Sequence, residues 1–211
     1  MILTKCISLK PMDTNCYFLT DEKTGDMAVV DIGVPAGEVM EKVEENKDKI
    51  KYLIFTHRHC DHLLGAKRAK EITGAEILIH NLDKCGLTST KDSLFSSMSH
   101  LYGFEQQFVQ ADILLEDGDE IKLGESVIKV ILTPGHTEGS ICLVYGDSMI
   151  TGDLLFENSI GRTDFATGSF TELIKSIKKL QALGKDFTLY PGHYGKTTLS
   201  RELSFNPYIP R

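Results

Sequence analysis

The chain has 211 residues, 41% of them apolar and 25% charged, and a formal net charge of −7. This length suits one domain over 1–211 with a sizeable core, and the balance is ordinary for a globular protein. No Lys/Arg cluster could neutralise a run of phosphates and no apolar run could span a bilayer, so neither nucleic acid nor membrane is expected as a partner. The opening stretch MILTKCISLKPMDTNCYF has no long apolar region or small-residue cleavage site, which points to the cytoplasm. Cys6, Cys16, Cys60, Cys85 and Cys142 are odd in number, widely spaced and without CxxC, so they read as small buried hydrophobes rather than a disulfide framework.

Strand-like runs come first, at 2–9, 15–20 and 27–33. The stretch 37–49 reads as a helix with Val39 and Val43 on its dry side and Glu38→Lys42 and Glu45→Lys49 pairs on its wet side. KYLIFTH (51–57) reads as a buried strand. A helix from Leu63 to Ile72 stops at Gly74, and EILIH (76–80) is another strand. Residues 82–111 have no firm period and suggest short helices and loops. Hairpins are expected over 119–132, turning at Leu123–Glu125, and over 141–153, turning at Gly146–Asp147. The clearest helix is 169–184, with Ser169 and Glu172 as a capping box and Gly184 at its end, and a strand follows at 187–193. Strands and helices thus alternate in two runs, which suggests two packed sheets with helices outside.

The polar residues that close the strands form a set. THRHCDH carries His57, His59, Asp61 and His62; His136 lies in TPGHT, Asp153 in TGD and His193 in PGH. Five of the seven histidines belong to it, while His80 and His100 stand alone and read as core or surface residues. An H-x-H-x-D-H pattern arises by chance in a chain of this composition roughly once in two thousand. Neutral imidazole and carboxylate suit zinc, iron or manganese, and a catalytic ion needs about three protein ligands and an open position. Seven ligands can serve two ions if one carboxylate bridges. His57 and His59 can meet one ion; Asp61 and His62 can reach a second.

In their order THRHCDH, TPGHT, TGD and PGH resemble the metallo-β-lactamase superfamily over most of the chain. The resemblance implies an α/β fold, an αββα sandwich of two mixed β-sheets flanked by helices, with two divalent ions at one edge, zinc first and iron or manganese as alternatives. It implies His57, His59 and His136 at one ion, Asp61, His62 and His193 at the other, and Asp153 bridging. Asp61 and Asp153 would also be catalytic, and Asp31 in VVDIG would support the site from behind the ligands. SIGRTDF (159–165) and NPYIP (206–210) look like the short, single-domain branch of the glyoxalase-II-like enzymes, and SIGRTDF also looks like the related persulfide dioxygenases. The chain ends about 18 residues after His193, which leaves no room for the helical C-terminal domain of full-length glyoxalase II.

The activity this implies is hydrolysis of a small acyl-thioester, hydroxyacyl-glutathione-like, by a bridging hydroxide. Two divalent ions against two carboxylates and a hydroxide leave a formal +1, which favours an anionic substrate. Arg162 and Asp164 are expected to form an ion pair in the loop after TGD, with direct substrate contact by Arg162 as the sharper alternative. Tyr194 and Phe156 are placed to line the pocket or to pack, and Cys60 to pack. Two rival readings are a persulfide dioxygenase with one iron on His57, His136 and Asp153, and a non-catalytic scaffold.

Overall fold

A computed structural model describes residues 1–210. Arg211, the last residue of the expected domain, lies outside the described residues. The first sheet is built from β1 (Ile2–Leu9), β2 (Thr14–Asp21), β3 (Met27–Val30), β4 (Ile50–Phe55), β5 (Glu76–His80) and β6 (Ile113–Leu115), in that spatial order. Strands β1 to β3 run antiparallel and β3 to β6 parallel. The second sheet has β7 (Glu120–Leu123), β8 (Ser126–Leu132), β9 (Ile141–Tyr145), β10 (Ser148–Gly152), β13 (Thr188–Pro191) and β14 (Thr197–Thr198), with β10 and β13 parallel. A small hairpin of β11 (Leu155–Phe156) and β12 (Ser159–Ile160) stands apart.

Strand alternation makes four layers. In the first sheet Leu19, Val30, Ile54 and Leu78 face the second sheet's Leu123, Val130, Leu143 and Ile150. The opposite faces turn to the helices. Val29, Leu53, Phe55 and Ile77 pack under α1 (Glu38–Glu45) and α3 (Ala66–Thr73), which supply Val39, Val43, Ala66 and Ala69. Ile131, Met149 and Leu189 pack under α5 (Phe170–Gln181) and α6 (Leu199–Phe205). Because strands such as β3 and β4 are covered on both sides, they read as near-continuous apolar runs. The four-residue α2 (Cys60–Leu63) and α4 (Phe95–Met98) complete the helices.

Several expected elements are shorter in the structure. The helix expected over 37–49 ends at Glu45, because Asn46 leaves helical geometry (φ −119°, ψ 13°) and donates its side-chain amide to the Lys42 carbonyl. The expected Glu38–Lys42 and Glu45–Lys49 pairs give way to Lys42–Glu45 and Lys47–Glu44. The strand expected to reach residue 33 stops at Val30, since Asp31 turns into the left-handed region (φ 58°). Both hairpin turns hold, with Gly124 and Gly146 at positive φ, and Ser169 caps α5 by accepting from the Glu172 N–H. Cys16, Cys60 and Cys142 are buried, but Cys6 is exposed and Cys85 only half-buried, against expectation. Cys6 sits in edge strand β1, which is exposed at Leu3, Lys5, Cys6 and Ser8 and so meets solvent on both faces. Among the described residues no helix is long and apolar enough to cross a membrane.

Candidate metal centre

Strands β3, β4, β5, β8, β10 and β13 all end at the same edge of the sandwich, where the chain turns out of each sheet. The ends of parallel strands are where open α/β sheets place ligands. Here β4 delivers His57 and the 59–62 turn, the loop after β8 delivers His136, β10 delivers Asp153 and β13 delivers His193. All seven expected ligands converge there. His57, His59 and His136 form one group, His57, His62 and Asp153 a second, and Asp61, His62 and His193 a third, each with its donor atoms within 4.8 Å of one another. His59 Nδ1 lies 2.8 Å from His136 Nε2. Asp153 sits between the halves: Oδ2 is 3.5 Å from both His136 Nε2 and His193 Nε2, and Oδ1 is 3.4 Å from His62 Nε2. On the far side Asp61 Oδ2 lies 3.3 Å from His193 Nε2 and 3.5 Å from His62 Nε2.

Hydrogen bonds behind the ligands fix which ring nitrogen faces inward. Asp31 is fully buried; its Oδ1 accepts the Thr56 N–H at 2.8 Å and its Oδ2 the Thr56 hydroxyl at 2.7 Å. The Thr56 proton is thereby committed, so its oxygen accepts from His57 Nδ1 at 3.1 Å. His62 Nδ1 donates to Asp31 Oδ2 at 3.0 Å, and His136 Nδ1 to the Arg162 carbonyl at 2.7 Å. Each ring then presents Nε2 to the cluster, the usual way outer partners orient ligating histidines. His57 Nε2, His62 Nε2 and Asp153 Oδ1 are buried without any hydrogen-bond partner. Three orphaned donor-set atoms facing one another would cost several kcal/mol in an apolar packing role. They fit divalent cations.

The electrostatics agree. Burial, then the neighbouring His62 and His136, pushes His57 well below the ordinary imidazole range, and burial with His136 does the same to His59. Both present neutral nitrogens. Burial would also lower His62, but the carboxylates of Asp61, Asp153 and Asp31 together raise it to about 10. Burial would raise Asp61, yet His62 and His193 outweigh it and hold the carboxyl well below its usual range. His193 is raised in the same way, burial being overcome by Asp153 and Asp61. Three carboxylates within 3.5 Å of one buried imidazole make a place that favours positive charge.

Arg162 and Asp164 form an exposed bidentate pair at 2.9 and 2.7 Å. The Arg162 guanidinium lies over the Phe165 ring, whose edge meets His59. Tyr194 is 66% exposed at the opposite rim, in the left-handed region (φ 65°) and packed on Phe156, which is buried against His193. Cys60 lies under the turn with Leu64 and Phe95, and burial pushes its thiol up to about 12, which suits packing rather than thiolate chemistry. His80 is buried and caps the 81–87 turn by accepting the Leu82 N–H, while His100 is not buried.

Other supporting residues carry no metal-like pattern in the sequence. The Thr14 hydroxyl donates to Asp61 Oδ2 at 3.1 Å. Asn15 Nδ2 donates to the Pro191 and Tyr194 carbonyls, and the Tyr17 hydroxyl to the Pro191 carbonyl, so β2 of one sheet holds the His193 turn of the other. Asp83 is fully buried and accepts from the Arg58 N–H, the Thr137 hydroxyl and the Gly139 N–H, joining the 57–62 and 136–140 turns. The only local hint is the polar pair Thr14 and Asn15 ahead of the apolar run 16–19.

Comparison with known proteins gives likenesses of three kinds: to a family model, to a curated relative and to solved structures. Residues 9–193 match the family model described as metallo-beta-lactamase superfamily. The chain is 30% identical over 211 residues to the hydroxyacylglutathione hydrolase GloC of Haemophilus influenzae, covering 96% of each chain. Among solved structures it resembles the BLEG-1 B3 metallo-beta-lactamase (27% identity, TM-score 0.88, 99% of this chain and 100% of that one) and ETHE1 from Myxococcus xanthus (26%, 0.78, 97% and 83%).

Proposed function

Because the chain belongs to the metallo-β-lactamase superfamily, we propose that its 1–211 domain is a binuclear metal-dependent hydrolase of small anionic acyl-thioesters of the hydroxyacyl-glutathione kind. The observation that carries this is the position of Asp153, whose two oxygens face histidines of both candidate metal groups. The likeness to GloC supports the thioester class.

His57, His59 and His136 would hold one ion, Asp61, His62 and His193 the other, and Asp153 would join them. When bound, such ions supply hydroxide at neutral pH and polarise the scissile carbonyl. The protein's own part is orientation. Asp31 and Thr56 fix the rings of His57 and His62, the Arg162 carbonyl fixes His136, and Thr14 fixes Asp61. Asp61 and Asp153 would accept a hydrogen bond from an attacking water and hold it toward the acyl carbon. Phe165 and Phe156 would give the mouth apolar walls on its two sides, and the ion-paired Arg162 packs on the Phe165 ring at the rim. A thiol leaving group has an ordinary pKa of about 8.5, so departure needs no strong acid from the protein.

The test is metal content per chain after loading with zinc and with iron, followed by a thioester screen. Close to two ions per chain with turnover supports the reading. The resemblance of SIGRTDF (159–165) to the persulfide dioxygenases supports one alternative, a mononuclear iron dioxygenase on His57, His136 and Asp153. A single iron that resists a second ion, with oxygen uptake on glutathione persulfide, would replace the hydrolase by that alternative. No retained metal in either sample would sink both.

A further inference from the structure

Arg58 lies between His57 and His59, yet its side chain turns away from the metal cluster and is almost completely buried. Its Nη1 donates to Glu138 Oε1 at 3.2 Å and to Cys85 Sγ at 3.4 Å, and its Nε lies 3.8 Å from Asp83 Oδ1. The remaining nitrogen, Nη2, reaches across to the 161–168 loop, donating to the Thr167 hydroxyl and to the Ala166 carbonyl at 3.5 Å.

That loop does two things for the site. Its Arg162 carbonyl accepts the His136 Nδ1 proton, and its Phe165 ring packs edge-on against His59 and His136. It is also held in an unfavourable shape. Thr167 has φ 68°, a left-handed conformation that costs a non-glycine residue about 1–2 kcal/mol. Gly161, lacking a side chain, lets the loop approach the Asp153 carbonyl, where a β-carbon would fall 1.8 Å from that oxygen. His136 anchors the front of the loop at the Arg162 carbonyl, and Arg58 is the buried side chain that anchors its far end at Ala166 and Thr167.

We propose that Arg58 is a positioning residue: it latches the 161–168 loop at Thr167 and Ala166, and through the loop sets both the orientation of His136 and the Phe165 wall that meets substrate. This rests on the metal-centre reading above, and the readouts below separate the two.

The test uses Arg58→Met, Thr167→Val and the double variant in the full chain. Cobalt(II)-loaded protein reports His136 geometry through its visible absorption bands, limited proteolysis reports the loop, and steady-state kinetics on S-lactoylglutathione report the wall. Both single variants should shift the cobalt bands, open a cleavage site within 161–168, and raise KM about tenfold with a smaller change in kcat. The double variant should be no worse than Arg58→Met, since both remove one latch. Arg58→Lys, with a single donor head, should restore part of the KM. If Arg58→Met does not fold, Thr167→Val carries the test alone. Unchanged bands and cleavage pattern with only a lower melting temperature would overturn the proposal. Wild-type protein that binds cobalt without hydrolysing any thioester would sink the thioesterase reading, while bands and proteolysis would still decide on the latch.

Discussion

Asp31 Oδ2 and His62 Nδ1 lie 3.0 Å apart, both fully buried, at the point where β3 leaves the first sheet. The same carboxylate takes two hydrogen bonds from Thr56. One side chain in a left-handed turn therefore orients two candidate ligands. Asp31→Asn tolerates that backbone but cannot accept from all three donors as a carboxylate does. It should weaken metal binding about 10- to 100-fold, measured by chelator competition. Unaltered affinity would mean that His62 is held by packing alone.

The proton on His62 gives a second prediction. In the metal-free protein His62 is raised to about 10, so at pH 7 its Nε2 carries a proton that a metal ion must displace. The sign is fixed: as pH rises toward 10 the proton is lost without help, so metal affinity rises with pH, about tenfold per unit for each proton expelled. Calorimetry in buffers of different ionisation enthalpy should show release of at least about one proton per chain at pH 7. Metal uptake without proton release would contradict the arrangement of Asp61, Asp153 and Asp31 around this ring.

Gly192 is the third test. A β-carbon there would fall 2.2 Å from Asp153 Oδ1 and 2.8 Å from His62 Cε1. Gly192→Ala should therefore displace Asp153, costing about 1–3 kcal/mol of stability by overpacking. Its larger effect should be on metal content, which is expected to fall below one ion per chain. A variant that keeps two ions would show that the turn can shift away from the cluster.

Asn15 and Tyr17 bear on the join between the sheets. Tyr17→Phe removes the 2.6 Å bond to the Pro191 carbonyl but leaves that oxygen its Asn15 partner. It should cost about 1 kcal/mol in urea unfolding. Asn15→Ala removes bonds to two carbonyls and should cost about 1–3 kcal/mol. It should also loosen the metal group that contains His193. Equal losses from the two variants would argue against an unpaired Tyr194 carbonyl.

The candidate metal donors were legible because histidine is rare in this chain and clusters at strand ends, and the apolar runs 51–57 and 76–80 announced buried strands at that edge. Thr14, Thr56 and Asp83 were not, since a threonine or aspartate takes its role from what the fold brings beside it. Asp83 meets Thr137 across more than fifty residues of chain, a separation that no local period records. Helix α6 escaped for another reason: its seven residues are too few to establish a period, and its Thr198 cap lacks an acidic partner at the third helical position. The stretch 82–111 gave no period because it forms two 3₁₀ turns and, between them, the four-residue α4, entered through Leu94 at φ 64°.

The parentage of the seven candidate ligands has one more consequence. His57, His59, Asp61 and His62 follow a strand of the first sheet, while His136, Asp153 and His193 follow strands of the second. An ion bound between them is a rivet through two plates. Metal loading and mechanical closure of the sandwich are then one equilibrium, and an ion present at a thousandfold above its dissociation constant adds about 4 kcal/mol to the cohesion of the whole chain. Protein stripped of metal by a chelator should therefore melt at a lower temperature than the loaded protein, a difference that thermal unfolding would read directly.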